Sequence, residues 1–364
     1  MPRTRHPSVD IANARLRSQH LAAPHASGAE DIVRHFGAMQ SQEFAVARWS
    51  IAQRLHQATG DTIDRAFAEG RILRTHTLRP TWHFVSPLDI RWIMAATAPR
   101  VQAFNAPYYR QTDLSPASLA RANRVLAKSL KGGAHLTRAE LAGRLAKDGI
   151  KAEGLRLACI MMNAELEQVV CSGAVRGKQH TYALFDERVP PARPMSREKA
   201  MAQLARRFFE SHGPATVRDF RWWSSLTAGE ARSAIEAAGS ELERRETEGR
   251  TYVHAPGSDV TAKLRNSTVH LLQAYDEYVV AFTESKDVCH HEGHAGPRRS
   301  DGVQFIHAIL IGTQIVGHWR RAESAGKPAV EFYVNRRLSK AEEGALRKAI
   351  DRYRVFMKPT EIDS

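Results

Sequence analysis

The 364-residue chain has little cysteine, fewer acidic than basic residues and no long apolar run. Its three cysteines, Cys159, Cys171 and Cys289, are an odd and sparse set, which predicts a reducing compartment and no disulfide framework. No apolar run approaches the roughly 20 residues that a membrane-spanning helix needs. The N-terminus has no apolar segment of the kind found in secretory signals. We therefore expect a cytoplasmic protein that has no membrane partner.

The shortage of acidic residues is large. Lys and Arg number 53 against 39 Asp and Glu, so the net charge is +14 and the pI is about 10.0. This excess favours a polyanionic partner, nucleic acid before an anionic membrane surface, although many basic proteins bind neither. A phosphate-cradling glycine-rich loop, a nucleophile elbow and a paired-carboxylate site are also missing. The usual aromatic-rich signature of single-strand RNA readers is absent too, which disfavours an RNA-binding module.

Helical and strand-like patterns alternate along the chain. Three helices and then two strand-like runs, residues 71–75 and 81–85, predict a winged helix, whose third helix normally enters the DNA major groove. Similar groups follow, and from about residue 268 closely spaced strands, residues 278–282 among them, predict a small barrel or curled sheet. The predicted fold class is α+β, with winged helices at 1–86, 115–190 and 195–258, a helical connector at 87–114, and a small β-barrel-like domain with a terminal helix at 265–360.

One stretch, residues 37–44, combines two amides with the end of a helix. Apolar residues predict a helix over residues 30–39, and Gly37 marks its end. In a continuing helix Gln40 and Gln42 would point about 200° apart, at about 100° per residue. In an extended segment residues i and i+2 share a side. Cooperation between the two amides therefore requires the helix to stop, and the alternative is an ordinary polar loop.

Four motifs resemble those of a known family: residues 40–42, 49–52, 74–85 and 312–320. Over about residues 9–356 the chain resembles the bacterial tandem winged-helix family of crosslink-repair DNA glycosylases (AlkZ/YcaQ-like). The resemblance implies a C-shaped clamp on double-stranded DNA and excision of N7-alkylated purines, some from interstrand crosslinks, without metal or cofactor. It places the family's Gln-x-Gln or Gln-x-Asp motif on Gln40 and Gln42.

The chain departs from the family at two positions. The residue between the amides is usually apolar and here is Ser41, and the family's common Arg-Gly-Thr is Arg79-Pro80-Thr81. Proline fixes φ and removes a donor, so a stiffer turn is expected. These departures favour a rival hypothesis, a non-catalytic winged-helix protein that binds DNA or regulates, since fold transfers more safely than activity.

Two amides suit one kind of substrate. A neutral amide cannot act as a general base, but it can hold a water by donating and accepting hydrogen bonds. N7-alkylation makes the purine cationic, so its departure needs no general acid. We therefore assign Gln42 as the residue that positions the water, and Gln40 as its partner near the deoxyribose.

Basic and polar side chains near the motif and on later units are expected to contact DNA backbone, although a solvated basic surface is an alternative for each. If half a dozen of them contact phosphates, the affinity for DNA should fall by about three orders of magnitude when the salt concentration rises from 50 to 200 mM. The candidates are Arg48, Arg74, His76, Arg79, Thr81, His83, Arg176, Lys178, Arg218 and Arg221.

The segment from Cys289 to His294 contains ligand types that suit zinc. No second cluster stands at standard spacing, so we expect no metal and read the segment as a polar hairpin tip directed at DNA. The overall prediction is a monomeric, nucleoid-associated glycosylase.

Overall fold

The computed structural model describes residues 7–23, 27–258, 268–289, 307–324 and 327–357. Helices and short antiparallel strands are both present, which confirms the mixed α and β class. All three cysteines are buried and free. Within the described ranges, no helix has the length and apolar character to cross a bilayer.

The first segment surrounds a three-stranded antiparallel sheet, whose strands lie in the order β1 (Ala38–Gln40), β3 (Trp82–Val85) and β2 (Leu73–His76). The predicted helix over residues 30–39 is too long, because Gly37 adopts φ +74° and ends it at Phe36. Residues 38–40 instead form a strand, in which Gln40 pairs with His83. The elements are α1 (Pro7–Ser18), α2 (Ala29–Phe36), β1 (Ala38–Gln40), α3 (Phe44–Ala52), α4 (Gly60–Ala68), β2 (Leu73–His76) and β3 (Trp82–Val85).

A long helix and two further groups of helices and strands follow. The predicted capping box at Thr137 is present: the Thr137 hydroxyl accepts from the Glu140 N–H, and the Glu140 carboxylate accepts from the Thr137 N–H. Thr227 and Glu230 cap a second helix in the same way. The elements are α5 (Ile90–Gln111), α6 (Pro116–Leu130), β4 (Leu136–Thr137), α7 (Arg138–Lys147), α8 (Gly154–Leu166), β5 (Val170–Ser172), β6 (Thr181–Leu184), α9 (Phe185–Arg188), α10 (Arg197–His212), α11 (Val217–Ser224), α12 (Ala228–Ala238), β7 (Glu243–Thr247) and β8 (Arg250–His254).

The last segment contains a four-stranded antiparallel sheet in the linear order β12 (Lys327–Val334), β11 (Gln314–Ser324), β10 (His307–Ile311) and β9 (Val269–Leu272). The predicted strand at residues 278–282 is wrong, because residues 277–280 form a helix. Asp276 caps that helix by accepting from the Tyr278 N–H at 3.0 Å, which outweighs the strand preference of a short apolar run. The elements are β9 (Val269–Leu272), α13 (Glu277–Val280), β10 (His307–Ile311), β11 (Gln314–Ser324), β12 (Lys327–Val334) and α14 (Lys340–Met357).

Three aromatic residues join the first segment to the last. The indole N–H of Trp49 donates to the Leu271 carbonyl at 2.8 Å, and that of Trp319 donates to the Leu272 carbonyl at 2.9 Å. The Tyr353 ring lies 5.3 Å from the Trp49 ring and 4.8 Å from the Trp319 ring. Helices α3 and α14 therefore share one core with the C-terminal sheet, and this core includes Met39, the residue before the amide motif.

A fully buried ion pair fixes the start of α13. Arg54 and Asp276 both have 0 % exposed side chains, and the two guanidinium nitrogens donate to the two carboxylate oxygens at 2.9 and 2.7 Å. Arg54 also donates to both oxygens of Gln19 and to the Ser50 carbonyl, so all of its N–H groups have acceptors. Burial alone would raise the pKa of Asp276, but Arg54 holds that pKa below its usual value.

Buried histidines should make the fold less stable in mild acid. Burial, reinforced by nearby cations, lowers the pKa of His270 from 6.5 to about 4, and burial also lowers the pKa values of His83 and His212. In the unfolded chain these histidines take up protons at a higher pH than in the folded protein. Their contribution to the free energy of unfolding is therefore full above pH 6.5 and falls as the pH decreases towards 4. His270 alone should cost about 2 kcal/mol at pH 5. Urea unfolding at pH 7.5, 6 and 5 measures the loss, and equal midpoints would contradict it.

Candidate active site

Gln40 ends strand β1, and Gln42 lies two residues beyond it in a different environment. Gln40 is 7 % exposed, and its side-chain oxygen accepts from an Arg79 nitrogen at 3.0 Å. Gln42 is exposed, and its side-chain oxygen accepts only a long bond, 3.4 Å, from the Trp82 N–H. Ser41 between them is fully buried, and its hydroxyl has no partner among the described residues. The helix does stop before the motif, which leaves one amide fixed and the other open to solvent.

A buried carboxylate holds the motif from behind. Glu277 is 1 % exposed, and its Oε1 accepts from the Gln40 backbone N–H at 2.7 Å. Its Oε2 accepts from the Trp223 indole at 3.0 Å and lies 3.1 Å from His212 Nε2. Burial lowers the pKa of Arg79, and the charge of Glu277 opposes that shift. Glu277 therefore positions Gln40 and has no oxygen free for a substrate.

Arg74 supports the loop that carries Gln42. Its guanidinium donates to the Ser41 carbonyl at 3.1 Å and to the Gln42 carbonyl at 3.3 Å, and it lies 4.2 Å from the Trp82 ring centre. Burial lowers its pKa to about 10, so it remains cationic at neutral pH. This placement gives Arg74 a structural role in the loop and leaves 8 % of the residue exposed.

A groove of about 810 Å³ is lined in part by Arg79, the residue that donates to Gln40. Four arginines line it, and none of its lining residues in the described part of the chain is acidic. Arg79 links the groove to Gln40, while Arg218 and Arg221 are exposed on α11. Arg218 pairs with Glu284 at 3.2 Å, a surface contact that is weak enough to exchange. The arrangement attracts an anionic polymer to the side of the motif. The arginines are Arg79, Arg100, Arg218 and Arg221.

The second predicted wing is exposed but lies outside this groove. Arg176 pairs with Glu140 at 2.6 Å, and both side chains are about half exposed. Lys178 stands in the same turn and is exposed. Both cations are therefore accessible to a polyanion.

Four other predicted DNA contacts lie in less accessible places. His83 is 0 % exposed and His76 is 7 % exposed, with His76 Nδ1 2.5 Å from Glu165. Arg48 pairs with Asp64 and packs near the Phe44 and Phe356 rings. Thr81 lines the groove, but its hydroxyl is buried. Their surroundings favour structural roles over direct phosphate contacts.

Three residues of the site were not singled out by the sequence. Glu277 falls in a segment that resembles the start of a strand, and only its acidic neighbour Asp276 could have drawn attention to it. Arg100 lies in the connector helix, where its apolar neighbours dominate the pattern. Trp222 is exposed beside the buried Trp223, a pair that sequence alone does not resolve.

The described residues contain no group of three metal-binding side chains. Of the proposed hairpin tip, Cys289 is described and buried, whereas residues 290–294 lie outside the described ranges. Its role in DNA contact stays a prediction.

The fold and this site define a class of protein: a mixed α and β chain with two closely spaced amides, one of them bonded to an arginine of a groove that suits an anionic polymer. Comparison with known proteins makes the class specific. Residues 33–356 match the model of the family described as DNA glycosylase AlkZ-like, and the chain belongs to that family. Its members are DNA glycosylases, which are hydrolases acting on DNA, as the sequence predicted.

Two comparisons extend the assignment. An interstrand DNA cross-link repair glycosylase of Streptomyces sahachiroi is 24% identical over 319 residues, covering 84% of this chain and 85% of that protein. The solved structure of the Streptomyces sahachiroi DNA glycosylase AlkZ superimposes with a TM-score of 0.79 at 19% identity, covering 96% of each chain. At this identity the structural match establishes the fold.

Proposed function

We propose that the protein is a monofunctional DNA glycosylase that hydrolyses the N-glycosidic bond of N7-alkylated, cationic purines. The observation that carries the proposal is the contrast between Gln40, which Arg79 and Glu277 fix, and Gln42, which faces solvent two residues later. The name of the Streptomyces sahachiroi relative supports extending the substrates to interstrand crosslinks.

The chemistry follows from the contacts of the two amides. The Gln40 oxygen already accepts from Arg79, so its NH₂ group is left to donate to a water or a sugar oxygen. Exposed Gln42 can both donate to and accept from the attacking water. Glu277 is buried with both oxygens engaged, so it does not supply a base. A cationic purine leaves without a general acid, which matches a site whose two amides are neutral.

The proposal includes the finer architecture. The helices and hairpin strands at 1–86, 115–190 and 195–258 are taken as winged helices, the segment at 87–114 as their connector, and the region at 265–360 as a small barrel-like domain. Together they would form a C-shaped clamp that binds double-stranded DNA as a monomer at the nucleoid in the cytoplasm. The linear order of the described C-terminal strands leaves barrel closure as a prediction.

The direct test is the appearance of abasic sites in N7-methylated duplex DNA. Purified protein in excess should release 7-methylguanine, detected by chromatography, and leave strands that break on heating in alkali. A duplex of the same sequence with uracil or hypoxanthine should stay intact, because a neutral base has no positive charge to assist its departure.

A negative result has a defined meaning. DNA binding without release of 7-methylguanine would overturn the proposed chemistry and favour the non-catalytic DNA-binding alternative. Release from the neutral-base duplex would contradict the argument that cationic leaving groups are required.

Salt dependence should identify which cations contact phosphate. Arg221 is exposed and lines the groove, so Arg221→Ala should reduce the slope of log affinity against log salt by about 0.9. If Arg176, Lys178, Arg218 and Arg221 each contact one phosphate, affinity should fall by about two orders of magnitude between 50 and 200 mM salt. Fluorescence anisotropy with a labelled duplex measures both quantities.

The matched control for this measurement is Arg48→Ala. Arg48 is engaged by Asp64 and should leave the salt slope unchanged. A reduced slope for Arg48→Ala with no reduction for Arg221→Ala would place the DNA on another face.

A further inference from the structure

Three exposed aromatic side chains line the groove. Phe104 is 45% exposed and Tyr108 is 50% exposed, and they stand four residues apart on α5, which puts them on one face of the helix. Trp222 on α11 is 51% exposed. Clustered apolar surface that remains exposed in a folded protein marks a binding site. We call Phe104, Tyr108 and Trp222 the aromatic wall.

Trp222 is held in place although half of its surface is open. Its indole N–H donates to the Val280 carbonyl at 2.9 Å, which fixes the plane of the ring. The Arg79 guanidinium lies 5.7 Å from the ring centre and donates to the Gln40 oxygen at 3.0 Å. One arginine therefore joins the aromatic wall to the amide motif. A fixed ring loses little entropy when a flat partner stacks on it.

The charges around the aromatic wall favour an anionic partner. Arg100 lies 5.2 Å from the Phe104 ring centre and donates to the Ser225 carbonyl at 3.3 Å, while Arg221 is exposed nearby. As noted above, no described residue lining the groove is acidic. Aromatic rings interleaved with arginines bind nucleotides that are free of a double helix, because rings stack on bases and guanidinium groups neutralise phosphates.

We propose that this groove binds an unpaired nucleotide, with its base stacked on the aromatic wall and its phosphate held by Arg100 and Arg221. In an intact duplex both faces of a base are covered by its neighbours, so only a distorted helix offers a base to these rings. The inference depends on the proposed function and deepens it, since it makes helix distortion a part of substrate recognition. Arg79 would connect occupation of the groove to the orientation of Gln40.

The test compares binding to two unmodified DNAs. A labelled duplex and the same duplex with one bulged nucleotide are titrated with the full-length protein by anisotropy. The wild-type protein should prefer the bulged DNA by about tenfold, the scale of one base stacked on an aromatic ring. Trp222→Ala and the double variant Phe104→Ala/Tyr108→Ala should each abolish most of that ratio. Trp222→Phe should retain it, because the ring face remains.

Phe332→Ala is the matched control, since Phe332 is 50% exposed on β12 and does not line the groove. Equal wild-type affinity for the two DNAs would overturn the inference, as would equal weakening of both by Trp222→Ala. Excision of 7-methylguanine is measured separately. Intact excision without a preference for the bulged DNA would contradict only the aromatic binding site. A preference for the bulged DNA without excision would contradict only the proposed chemistry.

Discussion

Gln42→Ala is expected to slow single-turnover release of 7-methylguanine from N7-methylated duplex DNA by about 100-fold. The side chain is exposed and makes one long bond within the protein, so its removal should leave the fold intact. What is lost is the group that holds the attacking water. Binding to the same duplex should change little, because a neutral amide contributes little to phosphate attraction.

Gln40→Ala should cause a loss of similar size through a second effect. It removes one amide, and it also removes the side-chain oxygen that accepts from the Arg79 guanidinium at 3.0 Å. Gln42→Asp should keep much of the activity, because a carboxylate oxygen can also accept a hydrogen bond from the attacking water. Gln57→Ala is the control, because Gln57 is exposed and lies outside the motif. Wild-type rates in both alanine variants would exclude the amides from the chemistry.

Arg54→Ala is expected to lower the free energy of unfolding by about 3–5 kcal/mol, because it leaves the Asp276 carboxylate buried without its counter-charge. Both side chains are 0 % exposed, so bulk solvent does not screen the carboxylate. The same carboxylate caps α13, so the start of that helix should loosen as well. Urea unfolding at neutral pH measures the change.

Two controls separate burial from ion pairing. Arg320→Ala removes an exposed partner of Glu331, with side chains 77% and 57% exposed, and should cost less than about 1 kcal/mol. The double variant Arg54→Met/Asp276→Leu should recover stability relative to Arg54→Ala, since it removes the uncompensated charge. Equal effects of Arg54→Ala and Arg320→Ala would contradict the argument.

Local signals in the sequence predicted the structure well where the cause of the structure is itself local. Thr137 and Glu140 lie three residues apart, and their capping box forms as expected. Gly37 supplies the break that lets Gln40 leave the helix, although the following strand was missed because three residues are too few for a period.

The sequence did not predict what distant contacts decide. Residues 277–280 form a helix because Asp276 is held by Arg54, which lies 222 positions earlier in the chain. The alternating pattern of its strand made His83 a candidate for DNA contact, yet the folded protein buries it completely. Glu277 carries no pattern at all, and only the folded chain brings it to Gln40.

The position of Glu277 limits how this protein can be divided. The amides stand near the start of the chain, and the carboxylate that anchors their strand arrives more than two hundred residues later. A fragment that ends before the C-terminal sheet would keep the motif and lose its anchor, along with the indole contact between Trp49 and Leu271. Gene truncation or domain exchange at that boundary would therefore separate the amide motif from the carboxylate that anchors it. We expect the two parts of the chain to evolve together for this reason.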